Sequence, residues 1–408
     1  MFILSIVYTL KYKFIQISCL VEAKKVFKES KSSYLTFLMS LANHIGAGNI
    51  VGVTTALIYG GAGSIFWMII TCFFMGIFSL MENTLAIRYR EKIKGEYRGG
   101  AAYYISKGFK SKKLAIVFSV VLVLTNTIFF GSLQVNTLVE SIRIPFSISN
   151  YIIIILLLLF SFFIVFRGTK RILKFIEGIV PIMTLVFMGI SIITIIYNYR
   201  LLPLVIKSII TSAFTFKSVS GAILGGNFII GMKRSAFSNE AGFGTAPSIS
   251  AMADVKRPLS QGFVQVLGVY IDTIVMCTLL GIMILMYDME LTKFQGAELA
   301  VNIFKEIFGN FGLYIGSFFL FTFSIATWVS SYYAGESNML YVYNNTKISY
   351  HHSIHFYRFL YIVGTIIGVL FSVNILWNFV DYGLILLGTI NTFVIMRLEK
   401  VFKEELNK

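Results

Sequence analysis

Charged side chains are scarce in this 408-residue chain: they make up 13% of it, against 57% hydrophobic residues, and the mean hydropathy is +0.79. That excludes an ordinary soluble domain. Each crossing of a ~30 Å hydrocarbon core takes about 20 apolar residues, and a chain of this composition supplies enough for about ten. Cysteine is rarer still. Cys19, Cys72 and Cys277 are far apart and form no CxxC pair, which leaves no disulfide framework and makes them small buried hydrophobes. Acidic residues number 19 against 35 Lys and Arg, a net charge of +16. A nucleic-acid binder would gather such an excess into a patch, but here the basic residues sit between apolar runs. Residues 1–10 lack a basic region and no A-x-A site follows before Lys31, so a cleavable signal peptide is not expected.

Apolar runs fall at 34–58, 63–90, 114–139, 150–166, 173–197, 218–253, 261–287, 311–341, 357–373 and 376–396. These predict ten membrane spans in an all-α polytopic protein. Residues 1–33 form a partial N-terminal helix and a linker, 200–217 an outer re-entrant or interfacial segment, and 397–408 a tail. With one consistent alternation, 27 of the 35 Lys and Arg fall on one face and 8 on the other. The richer face is cytoplasmic by the positive-inside rule, which puts the C-terminus inside and the protein in a bacterial inner membrane.

Two spans depart from plain apolar composition. The first carries Asn43-His44-Ile45-Gly46-Ala47-Gly48-Asn49, and the sixth carries Phe237-Ser238-Asn239-Glu240-Ala241-Gly242-Phe243-Gly244 before Pro247. Glycine costs a helix about 1 kcal/mol relative to Ala. Freed backbone groups at membrane depth persist only where protein or a wet cavity satisfies them. Glycines alone would serve close helix packing, but packing does not call for Asn, Glu and His beside them. Each such span opens a set of five, 34–199 and 218–396, so the second set lies inverted relative to the first. That pattern points to a secondary transporter's binding site. A broken helix offers unpaired N–H groups at one end, suited to a carboxylate, and unpaired C=O groups at the other, suited to a cation or an ammonium group.

Within these breaks, Gly46 and Gly48 allow substrate to approach the backbone, and Asn49 and Ser238 offer oxygen ligands to a hard cation such as sodium. Gln134 contacts substrate or bonds a neighbouring helix. Phe237 and Trp328 form a lid and a pocket wall, or simply pack. Glu82, Glu177, Asp272 and Asp381 lie in or at the ends of apolar runs and Glu240 lies in the second break; intramembrane acids are functional candidates by default. Glu82, Glu240 and Asp272 are the candidates for gating or coupling. Glu82 sits close enough to Arg88 and Arg90 for an inner-gate salt bridge, and a hydrogen bond to a neighbouring helix is an equal reading of Asp272. His351, His352 and His355 cluster without a Cys or acid, which predicts a solvated loop rather than a metal site.

Several motifs resemble the alanine/glycine:cation symporter family over nearly the whole chain. They are Gly46-Ala-Gly-Asn-Ile50, Gly60-Gly61-Ala-Gly63 with Phe66-Trp67-Met68, Gly95-Glu-Tyr-Arg-Gly-Gly100, Phe237-Ser-Asn-Glu-Ala-Gly242, Asp272-Thr273 and Tyr332-Tyr333 with Gly335-Glu336. The resemblance implies a leucine-transporter-like inverted repeat of five plus five helices and uptake of a small neutral amino acid, alanine or glycine, driven by sodium. It implies substrate contacts at Ala47, Gly48, Gln134, Phe237 and Trp328. It also implies a sodium site between the carbonyls of Ala42 and Ile45 and hydroxyls of the eighth span. The chain departs from the family where a Ser-Thr pair is replaced by Ser324-Ile325. That removes one oxygen, which Thr322 or Thr327 would replace unless a proton takes sodium's place. Two other readings share this fold, a proton-coupled carrier for a different amino acid and a non-transporting amino-acid sensor. A membrane enzyme would need a nucleophile–base pair or metal cluster at one face, and none is evident. A channel would need a continuous polar pore, whereas saturable uptake marks a carrier. No resident cofactor and no nucleic-acid partner is expected; the partners are an amino acid and the lipid bilayer.

Overall fold

In a computed structural model the chain is all-α apart from one short hairpin. The structure describes every residue except 94, 216–225, 288, 295, 347 and 348, and except the side chains of 47, 48 and 292. Helix α1 (Phe2–Lys11) meets α2 (Cys19–Glu29) through a 78° bend, with Lys13 and Phe14 left-handed at the corner. The first broken span follows as α3 (Lys31–His44) and α4 (Ala47–Gly60). Helix α5 (Gly63–Tyr89) leads back to the hairpin of β1 (Glu91–Ile93) and β2 (Glu96–Arg98), in which Lys92 faces Tyr97. After the short α6 (Ala101–Lys107), α7 (Lys112–Leu124) passes through a π-helical stretch, Thr125–Phe129, into α8 (Phe130–Phe146). Helices α9 (Asn150–Phe163) and α10 (Thr169–Tyr197) complete this half of the chain.

The other half begins with α11 (Leu202–Ala213), then α12 (Gly226–Asn239) and the five-residue α13 (Ala246–Ser250). Helix α14 (Pro258–Val269) continues through a second π-helical stretch, Tyr270–Cys277, into α15 (Thr278–Met286). Helices α16 (Ala297–Phe308), α17 (Asn310–Asn345), α18 (Tyr350–Leu370), α19 (Val373–Arg397) and α20 (Glu399–Leu406) end the chain. Serines start several of these helices by taking up a free first-turn amide: Ser30 accepts from Ser33 N, and Ser349 from His352 N. Because of that second cap, the three histidines expected in a loop lie in the first turns of α18. Among the described residues no group of three His, Cys, Asp or Glu is placed to hold a metal ion.

Among the described residues nine helices or helix pairs are long and apolar enough to cross a membrane, and ten if the bent N-terminal pair counts as one. The sixth span expected from sequence, 218–253, begins outside the described residues and then breaks after α12. The segment expected at 200–217 contains α11, which seats Val205, Ile209 and Ala213 inward and receives Trp67 Nε1 on the Ala213 carbonyl. Lys217 lies outside the described residues. All three cysteines are buried and free.

Burial sorts the helices. The first broken span is the most enclosed, whereas α9 and α10 expose rows of Ile, Leu and Phe such as Ile152, Ile155, Leu159, Ile182 and Leu185. In lipid, apolar side chains gain little by leaving one oily neighbour for another, so association depends on close packing. The contact of α18 with the α7–α8 span shows this. A Cβ on Gly364 would stand 1.9 Å from the Thr127 carbonyl oxygen, so only glycine lets these backbones meet. At one end of the bundle Glu399 on α20 clamps α1, receiving Tyr12 Oη at 2.8 Å and pairing with Lys11 at 2.5 Å. Partial burial works against the Glu399 carboxylate, but those two partners hold its pKa below the ordinary value.

Candidate functional site

The first break is narrow. The α-helical ladder stops at Ile45, whose N–H still reaches the Leu41 carbonyl, while the Gly46 N–H turns back to the His44 carbonyl. Helix α4 then restarts from Gly46, which has no side chain to cap it, and the Asn49 N–H turns back to the Gly46 carbonyl at 3.2 Å; the positive end of such a helix suits an anion. Two helices close in on this point. Thr327 Oγ1 on α17 donates to the Ala42 carbonyl at 2.7 Å. A Cβ on Gly46 would lie 2.3 Å from Thr327 Oγ1 and 2.8 Å from Gln134 Oε1. Gly46→Ala is therefore expected to lower both the melting temperature and uptake, since overpacking of this kind costs about 1–3 kcal/mol; a variant with unchanged melting and unchanged uptake would show that the neighbours yield freely. The side chains of Ala47 and Gly48 lie outside the described residues.

The second break is wider and is held from outside. Glu240 adopts a left-handed conformation (φ 48°), as do Gly242 (85°) and Gly244 (79°), a region that costs glycine nothing and other residues appreciably. Glu82 on α5 stabilises the turn. Its carboxylate accepts the Gly242 N–H at 2.9 Å, the Gly244 N–H at 3.0 Å and Asn391 Nδ2 of α19 at 2.8 Å. Asn391 Nδ2 also reaches the Gly242 carbonyl, at 2.9 Å. The expected approach of Glu82 to the nearby arginines is absent among the described residues: Arg88 pairs with Glu405 at 3.3 Å, and Arg90 goes to the Ala253 carbonyl and stacks over Tyr97.

Between the two breaks lies a compact oxygen cluster. Asn49, in the first turn of α4, donates Nδ2 to Asp272 Oδ1 at 2.6 Å. The other carboxylate oxygen accepts Ser238 Oγ at 2.8 Å and Thr273 Oγ1 at 2.7 Å. Asn49 Oδ1 and Ser238 Oγ stand 3.1 Å apart, and Cys277 Sγ is 3.4 Å from Ser238 Oγ. All five side chains are buried. No Lys, Arg or His forms an ion pair with Asp272 among the described residues. The enclosed carboxylate thus accepts from one amide nitrogen and two hydroxyls, and the oxygens gathered here are of the type a hard cation would bind. The widened π-helical turns at 270–277 carry Asp272, Thr273 and Cys277 together, and such turns recur at functional sites.

The remaining candidates are distributed around these clusters. Asn43 Nδ2 donates to Glu240 Oε2 at 3.3 Å and Asn43 Oδ1 accepts from Ser330 of α17 at 3.4 Å, so the two breaks and α17 meet here as well. Phe237 packs on Phe130, one turn before Gln134, and on Trp377. Over Trp377 lies the Arg234 guanidinium (4.1 Å), whose partner is Asp381 at 3.6 Å. Trp328 faces elsewhere: its ring stacks on Tyr361 of α18 at 5.0 Å and on Phe160 of α9 at 6.3 Å. Among the described residues no ring contact joins it to Phe237. Ser324 Oγ is buried without a hydrogen-bond partner among the described residues, as are both ring nitrogens of His44. Ile325 is buried, and the Thr322 hydroxyl turns back to its own helix at Phe318 and Phe319. Glu177 is exposed on α10.

Two participants, Asn391 and Ser330, have no signal in the sequence, and a third, Thr273, has only a partial one. Asn391 and Ser330 sit in apolar helices with nothing local to single them out. Thr273 was visible in the Asp272-Thr273 motif, yet its hydroxyl is placed by the π-helical turn, which residue spacing does not foretell.

The sequence pattern of the sodium:alanine symporter family matches residues 1–408. The chain belongs to that family. Among relatives, the amino-acid carrier protein AlsT of Bacillus subtilis is 32% identical over 404 residues, covering 98% of this chain and 86% of the relative. The sodium/alanine symporter AgcS of Methanococcus maripaludis is 31% identical over 396 residues, covering 91% of this chain and 85% of the relative. The probable sodium/glutamine symporter GlnT of Bacillus subtilis is 31% identical over 405 residues, with 97% and 84% covered. This sodium:alanine symporter family member is thus a multi-pass membrane protein of a transporter family, which fits a non-enzyme, with sodium as the family's co-transported ion. The relatives' names span alanine and glutamine.

Proposed function

We propose that the protein imports a small neutral amino acid, alanine or glycine, coupled to sodium by alternating access. The observation that carries this is the meeting of two helix breaks around the Asn49–Ser238–Asp272 cluster. An amino acid's carboxylate suits the positive end of α4, and its ammonium group suits the carbonyl end of α12. Gly46, Gly48, Ala47 and Gln134 border the substrate, with Phe237 as its lid and Trp377 and the Arg234–Asp381 pair outside that lid. Trp328 shapes the pocket only indirectly, through Tyr361 and Phe160.

One sodium ion is assigned to Asn49 Oδ1, Ser238, Asp272 and Thr273, and a second to the carbonyls of Ala42 and Ile45 with the hydroxyls of Thr327 and Ser324. Thr327 supports this second assignment because its hydroxyl already reaches the Ala42 carbonyl, which offsets the oxygen lost at Ile325. Residues 34–199 and 218–396 are read as inverted five-helix repeats, with a cytoplasmic C-terminus in a bacterial inner membrane. Glu82 and Glu240 would shape the second break as it opens and closes.

Uptake of a panel of labelled amino acids into proteoliposomes, under sodium and proton gradients imposed separately, tests the reading. Saturable, sodium-driven uptake of alanine or glycine is the expected result. Binding without flux would identify a sensor, and proton-driven flux would replace the ion. Thr327→Val, which removes the hydroxyl with little change in volume, is expected to raise the sodium concentration for half-maximal uptake by about tenfold, the worth of one lost hydrogen bond of ~1.4 kcal/mol. An unaltered sodium response would remove Thr327 from the ion's surroundings.

A further inference from the structure

We propose that α2 and the adjoining end of α14 form a binding site for an anionic phospholipid. Helix α1 runs along α5, with Phe2 against Phe74, Tyr8 against Phe78 and Tyr12 held by Glu399. After the 78° bend α2 runs beside α14, and Ser30 at its end donates to the Asp254 carbonyl at 2.9 Å. Cys19, Ala23 and Val26, spaced at i, i+4 and i+7, are its buried face, and the helix packs against α14.

The opposite face is unusual for a surface helix because it is both apolar and basic. Leu20 is 67% exposed and Val21 59%, with Ile17 at 58% just before them. Lys24, Lys25 and Lys28 are exposed beside them. A groove of about 880 Å³ joins the two characters, with Leu20, Val21 and Leu267 as its apolar wall and the three lysines on its rim. Lys25 is partly neutralised by Glu22 at 2.8 Å. Lys24 and Lys28 have no carboxylate partner among the described residues, and their i, i+4 spacing puts both ammonium groups on one side of the groove.

Apolar surface bordered by uncompensated lysines matches one ligand chemistry, an acyl chain with a negatively charged phosphodiester at its head. An acidic peptide or nucleic acid would use the lysines and leave Leu20 and Val21 wet. The setting agrees, because the charge asymmetry puts α2 on the face that carries 27 of the 35 basic residues.

The test uses the purified full chain with equimolar phosphatidylglycerol and phosphatidylcholine and reads retained lipid by native mass spectrometry. Wild type is expected to retain phosphatidylglycerol preferentially, and Lys24→Gln/Lys25→Gln/Lys28→Gln to bind it at least about tenfold more weakly, given roughly a tenfold loss for each ~1.4 kcal/mol and about 1 kcal/mol per lysine. Lys110→Gln/Lys112→Gln/Lys113→Gln should retain the lipid as wild type does, and Leu20→Ser/Val21→Ser should weaken both lipids. Equal retention by the α2 triple variant, or equal loss in the control, would overturn the site. Displacement of phosphatidylglycerol by millimolar inorganic phosphate would reduce it to a simple anion site. No arm depends on transport, so the outcome is independent of the symport reading.

Discussion

Asp272→Asn is expected to reduce sodium-driven uptake by about 100-fold or more while the protein still folds. The carboxylate is enclosed, takes three hydrogen bonds and has no cationic side chain in an ion pair with it among the described residues. A bound cation would compensate the remaining negative charge. Removing one member of a buried charge pair costs about 3–5 kcal/mol, which is roughly two to three and a half orders of magnitude in binding. The amide keeps the shape and one acceptor oxygen, so the fold should survive. The decisive readout is thermal unfolding in detergent with and without sodium. Wild type should gain stability with sodium, by about 2.7 kcal/mol at a concentration 100 times the dissociation constant, and Asp272→Asn should gain none. A variant that retains the sodium-induced shift would place the ion elsewhere.

Glu82→Ala is expected to be the most damaging single substitution to stability. Three donors point at this carboxylate, the Gly242 and Gly244 amides and Asn391 Nδ2, and all are buried. Leaving each of them unsatisfied costs about 1–3 kcal/mol, so the total reaches roughly 3–9 kcal/mol, comparable with the whole stability of many folds. The variant should be recovered poorly or melt well below wild type. Glu82→Gln keeps one acceptor oxygen and turns an NH2 group toward a donor, so it should fold with intermediate stability and impaired uptake. Wild-type melting for Glu82→Ala would mean that the second break supports itself.

The spans and both breaks were legible because each has a local chemical signature. Long apolar runs cross lipid, and Asn, Glu and paired glycines in such runs stand out. What sequence could not give was direction. Trp328 and Thr327 are neighbours on α17, yet the roughly 100° between successive residues sends the hydroxyl to the Ala42 carbonyl and the indole to Tyr361. Only the rotation of α17 against α3 and α18 decides which of them meets the break. Glu82 was marked as important from its position, but its partners lie 160 and 309 residues away, and the nearby arginines supplied a plausible wrong partner. The lack of a Cys or acid beside the three histidines points to a loop, whereas Ser349 starts a helix ahead of them.

The Glu82 clasp has a mechanical consequence. A turn whose amides are gripped by a side chain on α5, and whose carbonyl is gripped from α19, cannot tilt by itself. If access alternates, this turn must travel with α5 and α19 as one lever, and it carries with it the first break, to which Glu240 is tied through Asn43.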